Sequence, residues 1–135
     1  PGMVLVDTNV LLDLVLDDPV WADWSQTQLE IASAGNRLFV NPVIYSELSV
    51  GFALIEELDR FVDDAKLTVL EIPRPALFLA GKAFLDYRKK SGTRTGVLPD
   101  FFIGAHAAVA ALPLLTRDRG RYSHYFPSVA LIAPD

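Results

Sequence analysis

Met3-Val4-Leu5-Val6 is four apolar residues without a polar break, and Asp7 follows at once. A strand with one wet face alternates apolar and polar residues, so an unbroken run asks for cover on both faces, as in a parallel sheet flanked by helices. Short runs of the same kind recur at Leu38-Phe39-Val40, Thr68-Val69-Leu70, Leu114-Leu115-Thr116 and Val129-Ala130-Leu131-Ile132. Helical patterns lie between them. Thr8 to Leu16 places Val10, Leu11, Leu14 and Val15 at helical spacing, and Val20 to Ala34 reads as a helix stopped by a Gly35-Asn36 cap. Asn41-Pro42 supplies an N-cap and a first helical residue for Pro42 to Val50; further helices are expected over Phe52–Lys66, Pro75–Lys90 and Pro99–Ala111. The last of these is apolar nearly all round and so is expected to be buried. Strands alternating with helices imply a three-layer α/β sandwich around a mostly parallel sheet of four to five strands.

Composition narrows the class. At 135 residues a single domain is the default, and 51% hydrophobic residues with a mean hydropathy of +0.29 exclude a disordered acidic tail. The absence of cysteine excludes disulfides, thiolate zinc sites and cysteine nucleophiles. A formal charge of −5 argues against a generally basic nucleic-acid coat. Pro1-Gly2 reads as a cloning remnant before a natural start at Met3, with the domain expected over residues 3–134 and no signal peptide before it. The longest uncharged run, Phe101 to Thr116, is interrupted by Gly104, His106 and Pro113 and falls short of the roughly 20 apolar residues that span a bilayer. A soluble, cytoplasmic protein without membrane contact is the expectation.

Polar residues just past the carboxyl ends of such strands are where α/β sheets bind ligands. Asp7 follows the first strand and Asp118 comes two residues after Leu114-Leu115-Thr116; either could instead cap the next helix. Glu47 shares a helix face with Val43, Ile44, Val50 and Gly51, where an acid is costly to bury unless paired or bound to a cation, and is otherwise a solvated residue at the stripe's edge. Asp100 sits in a first turn, which favours an anion, yet it opens the most apolar helix. Gly104 and Ala107 on its face would leave room beside the carboxylate, although close helix packing explains them equally well. Carboxylates gathered together repel one another unless a cation neutralises them. Hard oxygen donors without cysteine point to Mg²⁺ or Mn²⁺, ions suited to phosphoryl chemistry.

At these residues the chain resembles the PIN-domain ribonucleases, and specifically the VapC toxins of bacterial type II toxin–antitoxin systems. The resemblance is carried, in order, by Met3-Val4-Leu5-Val6-Asp7-Thr8-Asn9, Asn41-Pro42-Val43-Ile44-Tyr45-Ser46-Glu47, Leu98-Pro99-Asp100-Phe101-Phe102-Ile103-Gly104-Ala105-His106-Ala107 and Leu115-Thr116-Arg117-Asp118. It implies a PIN-like fold in which Asp7, Glu47, Asp100 and Asp118 form the catalytic, metal-binding quartet, supported by Thr8, Asn9 and Thr116. It also implies Mg²⁺- or Mn²⁺-dependent endoribonuclease activity leaving a 5′-phosphate and a 3′-hydroxyl. The partners it implies are an RNA substrate, a VapB-type antitoxin covering the site, a second copy in a homodimer, and DNA only through the antitoxin.

Charge is uneven along the chain. Residues 1–87 hold 5 basic and 14 acidic side chains, whereas 88–135 hold 7 and 3. Arg117, Arg119, Arg121 and Arg94 are therefore candidate phosphate contacts, and Arg88-Lys89-Lys90 is either another or a solvated helix end. Tyr122, His124, Tyr125 and Phe126 would stack on unpaired bases or pack against the last strand. His106 reads as a buried, hydrogen-bonded histidine, and Trp21 and Trp24 as core or as an interface. Two competing functions fit part of this pattern. A Mg²⁺-dependent phosphatase would want an acid two residues after Asp7, where Asn9 stands; a non-catalytic binding module would use the acids to hold a structural ion.

Overall fold

The centre of the molecule is the strand that the Met3 run predicts. In a computed structural model, which describes residues 2–90, 92–94 and 96–135, β1 spans Gly2–Val6 and lies in a five-stranded sheet of order β3-β2-β1-β4-β5. The other strands are β2 (Asn36–Val40), β3 (Leu67–Val69), β4 (Leu114–Leu115) and β5 (Leu131–Ile132), and every pairing is parallel. Val4, Leu5 and Val6 are buried because β1 has neighbours on both sides and helices over the sheet. The edge strand β3 is more solvated, with Val69 45% exposed.

Seven helices accompany the sheet among the described residues: α1 (Thr8–Val15), α2 (Ala22–Gly35), α3 (Pro42–Leu48), α4 (Ile55–Asp64), α5 (Arg74–Lys89), α6 (Leu98–Ala110) and α7 (Arg119–Ser123). The Asp7 side chain caps α1 by accepting from Thr8 N, and Asn41 Oδ1 caps α3 by accepting from Ile44 N with Pro42 in the first turn. Helix α6 packs on α3 and α5, and its apolar sequence matches burial of Phe101 and the whole of Ile103–Ala107. Side chains such as Leu5, Leu11, Phe39, Ile44, Leu48, Ile103, Leu114 and Leu115 form the core. Complete burial of one such group stabilises the fold by about 1.5–3 kcal/mol.

Several boundaries differ from the sequence reading. No αL glycine caps α2, because Asn36 is already extended and enters β2 directly. Helix α2 begins only at Ala22, since Asp18 Oδ1 first accepts from Val20 N and Trp21 N in a turn. Helix α3 stops at Leu48 and tightens into a 3-10 turn over Ser49–Gly51, and Phe52 is extended rather than helical. The last strand is two residues long. Helix α7 has no counterpart in the sequence reading. It contains Gly120 and little apolar periodicity, and it is held by the burial of Tyr122. The loop expected over 91–96 includes Ser91 and Thr95, which lie outside the described residues. No helix among the described residues is long and apolar enough to cross a membrane.

Candidate active site

Chain order reverses between β1 and β4, and the carboxyl ends of those two strands frame the crevice where α/β sheets place ligands. The register Leu5↔Leu114 and Val6↔Leu115 sets the next residues, Asp7 and Thr116, side by side, and Asp7 N donates to Leu115 O at 2.8 Å. Asp7 is 3% exposed and accepts three side-chain-level hydrogen bonds: from Thr8 N at 2.7 Å, Thr116 Oγ1 at 2.8 Å and Tyr122 Oη at 2.8 Å. Burial pushes its carboxyl up from the ordinary 3.8 and the Glu47 charge adds to this, while the three donors act in the opposite sense. Burial beside Asp7 likewise holds the Tyr122 phenol well above 10, so it remains a donor.

The other acids are brought in by different elements. Glu47, near the end of α3, accepts from Thr8 Oγ1 at 2.6 Å. Asp100, in the first turn of α6, pairs with Arg121 Nη1 at 3.1 Å; Asp118, just before α7, pairs with Arg121 Nε at 2.6 Å. Asp100 lies within electrostatic reach of the other three, and Asp7 of Glu47. Asp100 is pushed up to about 6, first by burial, with the charges of Asp7, Glu47 and Asp118 adding to the effect and Arg121 opposing it. Among the described residues no three His, Asp or Glu side chains stand close enough, as placed, to hold one ion together. The cation in their midst is the Arg121 guanidinium.

Thr116 and Asn9 hold this end of the sheet. The Thr116 hydroxyl donates to Asp7 and accepts from Asp118 N at 3.1 Å and from Asn9 Nδ2 at 3.4 Å; Asn9 Oδ1 accepts from Arg117 N at 3.3 Å. Asn9 is therefore engaged in bracing β4, away from any acid–base task. His106 is buried, and its Nδ1 accepts from Asn41 Nδ2 at 3.1 Å, because Asn41 Oδ1 is already taken by Ile44 N. Burial lowers its pKa and keeps the imidazole neutral. The bond ties α6, which carries Asp100, to the cap of α3, which carries Glu47.

The arginines divide in a way the sequence did not reveal. Arg117 is committed to Asp13, with Nε at 2.8 Å and Nη2 at 2.9 Å from its two carboxylate oxygens, and lies over Trp21 at 5.3 Å. Asp13 is 2% exposed and also accepts from Ser25 Oγ, so this is an internal pair and not a free phosphate contact. Arg121 is paired within the acidic cluster. Arg119 and Arg94 are exposed; Arg119 makes one long bond, 3.4 Å, to Ala133 O. The aromatic residues also depart from expectation. Tyr122 reaches the site and donates to Asp7, and the signal for it was its place four residues after Asp118, one helical turn on, had α7 been foreseen. Phe126 packs on Phe101 and fills the face of Gly104, so close packing explains that glycine, not space beside Asp100.

The PIN domain family matches residues 4–126. This chain belongs to the PIN domain family, whose members are generally nucleases. The solved structures it is similar to include VapBC2 from Rickettsia felis bound to a promoter DNA fragment (18% identity, TM-score 0.74, covering 98% of this chain and 99% of that one). DNA-bound VapBC from Salmonella typhimurium is similar at 17% identity and TM-score 0.71, covering 98% of both chains. A toxin–antitoxin complex from Klebsiella pneumoniae matches at 21% identity and TM-score 0.67, covering 94% of this chain and 95% of that one. At such identities the likeness establishes a shared fold over the whole domain. No curated protein matches the chain by sequence at a significant level.

Proposed function

We propose that this chain is the toxin of a type II toxin–antitoxin pair and acts as a Mg²⁺- or Mn²⁺-dependent endoribonuclease, hydrolysing RNA to 5′-phosphate and 3′-hydroxyl ends. The observation that carries the reading is the convergence of Asp7, Glu47, Asp100 and Asp118, from four separate elements, on the β1/β4 crevice of a PIN fold. The donor set is suited to a hard divalent cation: it is all carboxylate oxygen, the Asp7 and Asp100 carboxyls are raised by burial with neighbouring acid charge adding to it, and a cationic side chain already sits among them. Asp7, Glu47, Asp100 and Asp118 would hold the ion after drawing closer than they now stand, with Asp100 and Asp118 released from Arg121. A bound divalent ion would supply a nucleophilic hydroxide and offset charge developing on the phosphate.

The chain's own groups do the rest. Tyr122 and Thr116 fix the Asp7 carboxylate from one side and Thr8 fixes Glu47, so that neither has to be ordered when substrate arrives. Arg121, once displaced from Asp100 and Asp118, stands at the same place to meet a phosphate, with exposed Arg119 and Arg94 as further contacts. The structural neighbours, being toxin–antitoxin complexes, support a partner antitoxin that covers the acidic crevice. The same reading includes a homodimer, and DNA binding only through that partner.

The test is Asp7→Asn, with Asp118→Asn as a second variant at a position 40% exposed at its side chain. Either should reduce Mn²⁺-dependent RNA cleavage by at least 100-fold while the far-ultraviolet circular dichroism spectrum is kept. Cleavage undiminished in both variants refutes the site. A protein that hydrolyses a simple phosphomonoester but not RNA is a phosphatase, and one that does neither is a binding module.

A further inference from the structure

Beside the carboxylates lies a cavity of about 250 Å³ whose aromatic walls the proposed chemistry does not use. Its walls are the rings of Tyr87, Phe101, His124 and Tyr125, and Asp100 and Arg121 line it as well. The rings meet at steep angles: Phe101 to Tyr125 at 67° and 5.1 Å, Tyr87 to Tyr125 at 75°, His124 to Tyr125 at 83°. Phe101 is nearly buried and one face of Tyr87 stacks on Phe84, so the aromatic surface still open to a ligand is that of the exposed His124 and the partly exposed Tyr125. Asp100 and Arg121 belong both to the cavity and to the acidic cluster, so the two adjoin.

We propose that this cavity is a subsite for one unpaired nucleobase of the RNA strand, adjacent to the phosphate at the acidic cluster. The proposal rests on the nuclease reading for the identity of the strand, and deepens it by naming how the strand is held. A nucleobase has the two surfaces the cavity offers partners for: flat π faces for the aromatic walls and a polar edge for His124, with Asp100 and Arg121 at the end that meets the acidic cluster. A purely apolar protein side chain would satisfy the rings and bring no partner for His124. Arg121 lines the cavity, Arg119 stands next to Gly120 of its wall, and Arg88 and Lys89 end α5, the helix that contributes Tyr87. An RNA strand drawn there by charge would present its bases to the cavity once its phosphate engaged the cluster.

Two substitutions probe the subsite without touching the buried core. His124 is exposed, so His124→Ala removes a wall at little cost to folding. Gly120 also lines the cavity, and a Cβ added there meets nothing within 4 Å, so Gly120→Leu adds bulk that the free protein accommodates. Single-stranded RNA carrying 2-aminopurine at successive positions, bound to Asp7→Asn protein, should show an emission change at one position. Each substitution should weaken binding about ten-fold, the scale of losing one stacked base, and abolish that change. Unchanged RNA affinity in both variants overturns the proposal. So does binding of a blocked phenylalanine amide in the cavity with RNA affinity unaltered, which assigns the space to a protein partner. The nuclease reading is separated by offering the same RNA and Mn²⁺ to the unmodified protein. Cleavage without a cavity signal sinks the subsite alone, and a cavity signal without cleavage sinks the nuclease alone.

Discussion

Arg117 and Arg121 stand four residues apart and have opposite surroundings. Arg121 is half exposed and its partners are acids of the site, whereas Arg117 holds Asp13, an acid with no way out to water. Removing Arg117 leaves that carboxylate buried and unpaired except for Ser25. Arg117→Ala is therefore expected to destabilise the fold by about 2–3 kcal/mol, below the full range for a buried pair because the arginine is 30% exposed. Thermal unfolding measures this. An unchanged melting temperature together with a flatter salt dependence of RNA binding would instead make Arg117 a phosphate contact. The sequence shows the arginine next to Asp118 but not the acid 104 residues earlier that claims it.

Among the elements, α6 shows how little room the site has to shift. Its Asp100 faces the cluster, its His106 braces the α3 cap, and its Gly104 lies under the Phe126 ring. Alanine favours helix over glycine by about 1 kcal/mol, yet here a methyl group would overlap a ring that is itself 4% exposed. Gly104→Ala should thus lower stability by about 1–3 kcal/mol, the usual cost of overpacking, read as a lower urea midpoint with an unchanged slope. Adding Phe126→Leu should recover part of the loss. Helix α7 makes the complementary point: five residues without a periodic signal form a helix because Tyr122 donates to a buried carboxylate in another element.

The whole molecule stores electrostatic cost at the crevice. Asp100 titrates near 6 in the folded chain against 3.8 ordinarily, and Asp7 is raised as well. Between about pH 4 and 6 the folded state then binds more protons than the unfolded one, so the contribution of these groups to stability is full below pH 4 and lost as pH rises through 6. Asp100→Asn removes the charge and with it this slope. The variant should match the unmodified protein near pH 4 and melt progressively higher than it by pH 7. A melting difference that is constant with pH would contradict the raised carboxyl. Mn²⁺ should raise the melting temperature of the unmodified protein at pH 7 and less so at pH 5, since an ion binding only the folded, ionised site stabilises it by mass action.

The alternation of apolar runs and helices, the parallel sheet, the N-caps at Asp7 and Asn41, and the four candidate acids were all legible in the chain, because each depends on near neighbours: strand burial on period, caps on the next turn. Asp7 caps α1 and also accepts from Thr116 and Tyr122 in the acidic crevice, a combination that local reading poses as alternatives. The helix α7, the Tyr122–Asp7 and Thr116–Asp7 bonds, the Asp13–Arg117 pair and the Asn41–His106 tie were not legible. Their partners lie 65 to 115 residues apart, and sequence carries no distance information at that range. Local periodicity therefore determined what the elements are and which acids stand at their ends. Which arginine pairs with Asp13, which tyrosine reaches Asp7 and where an aromatic cavity opens were decided by the sheet order that brings β1 beside β4.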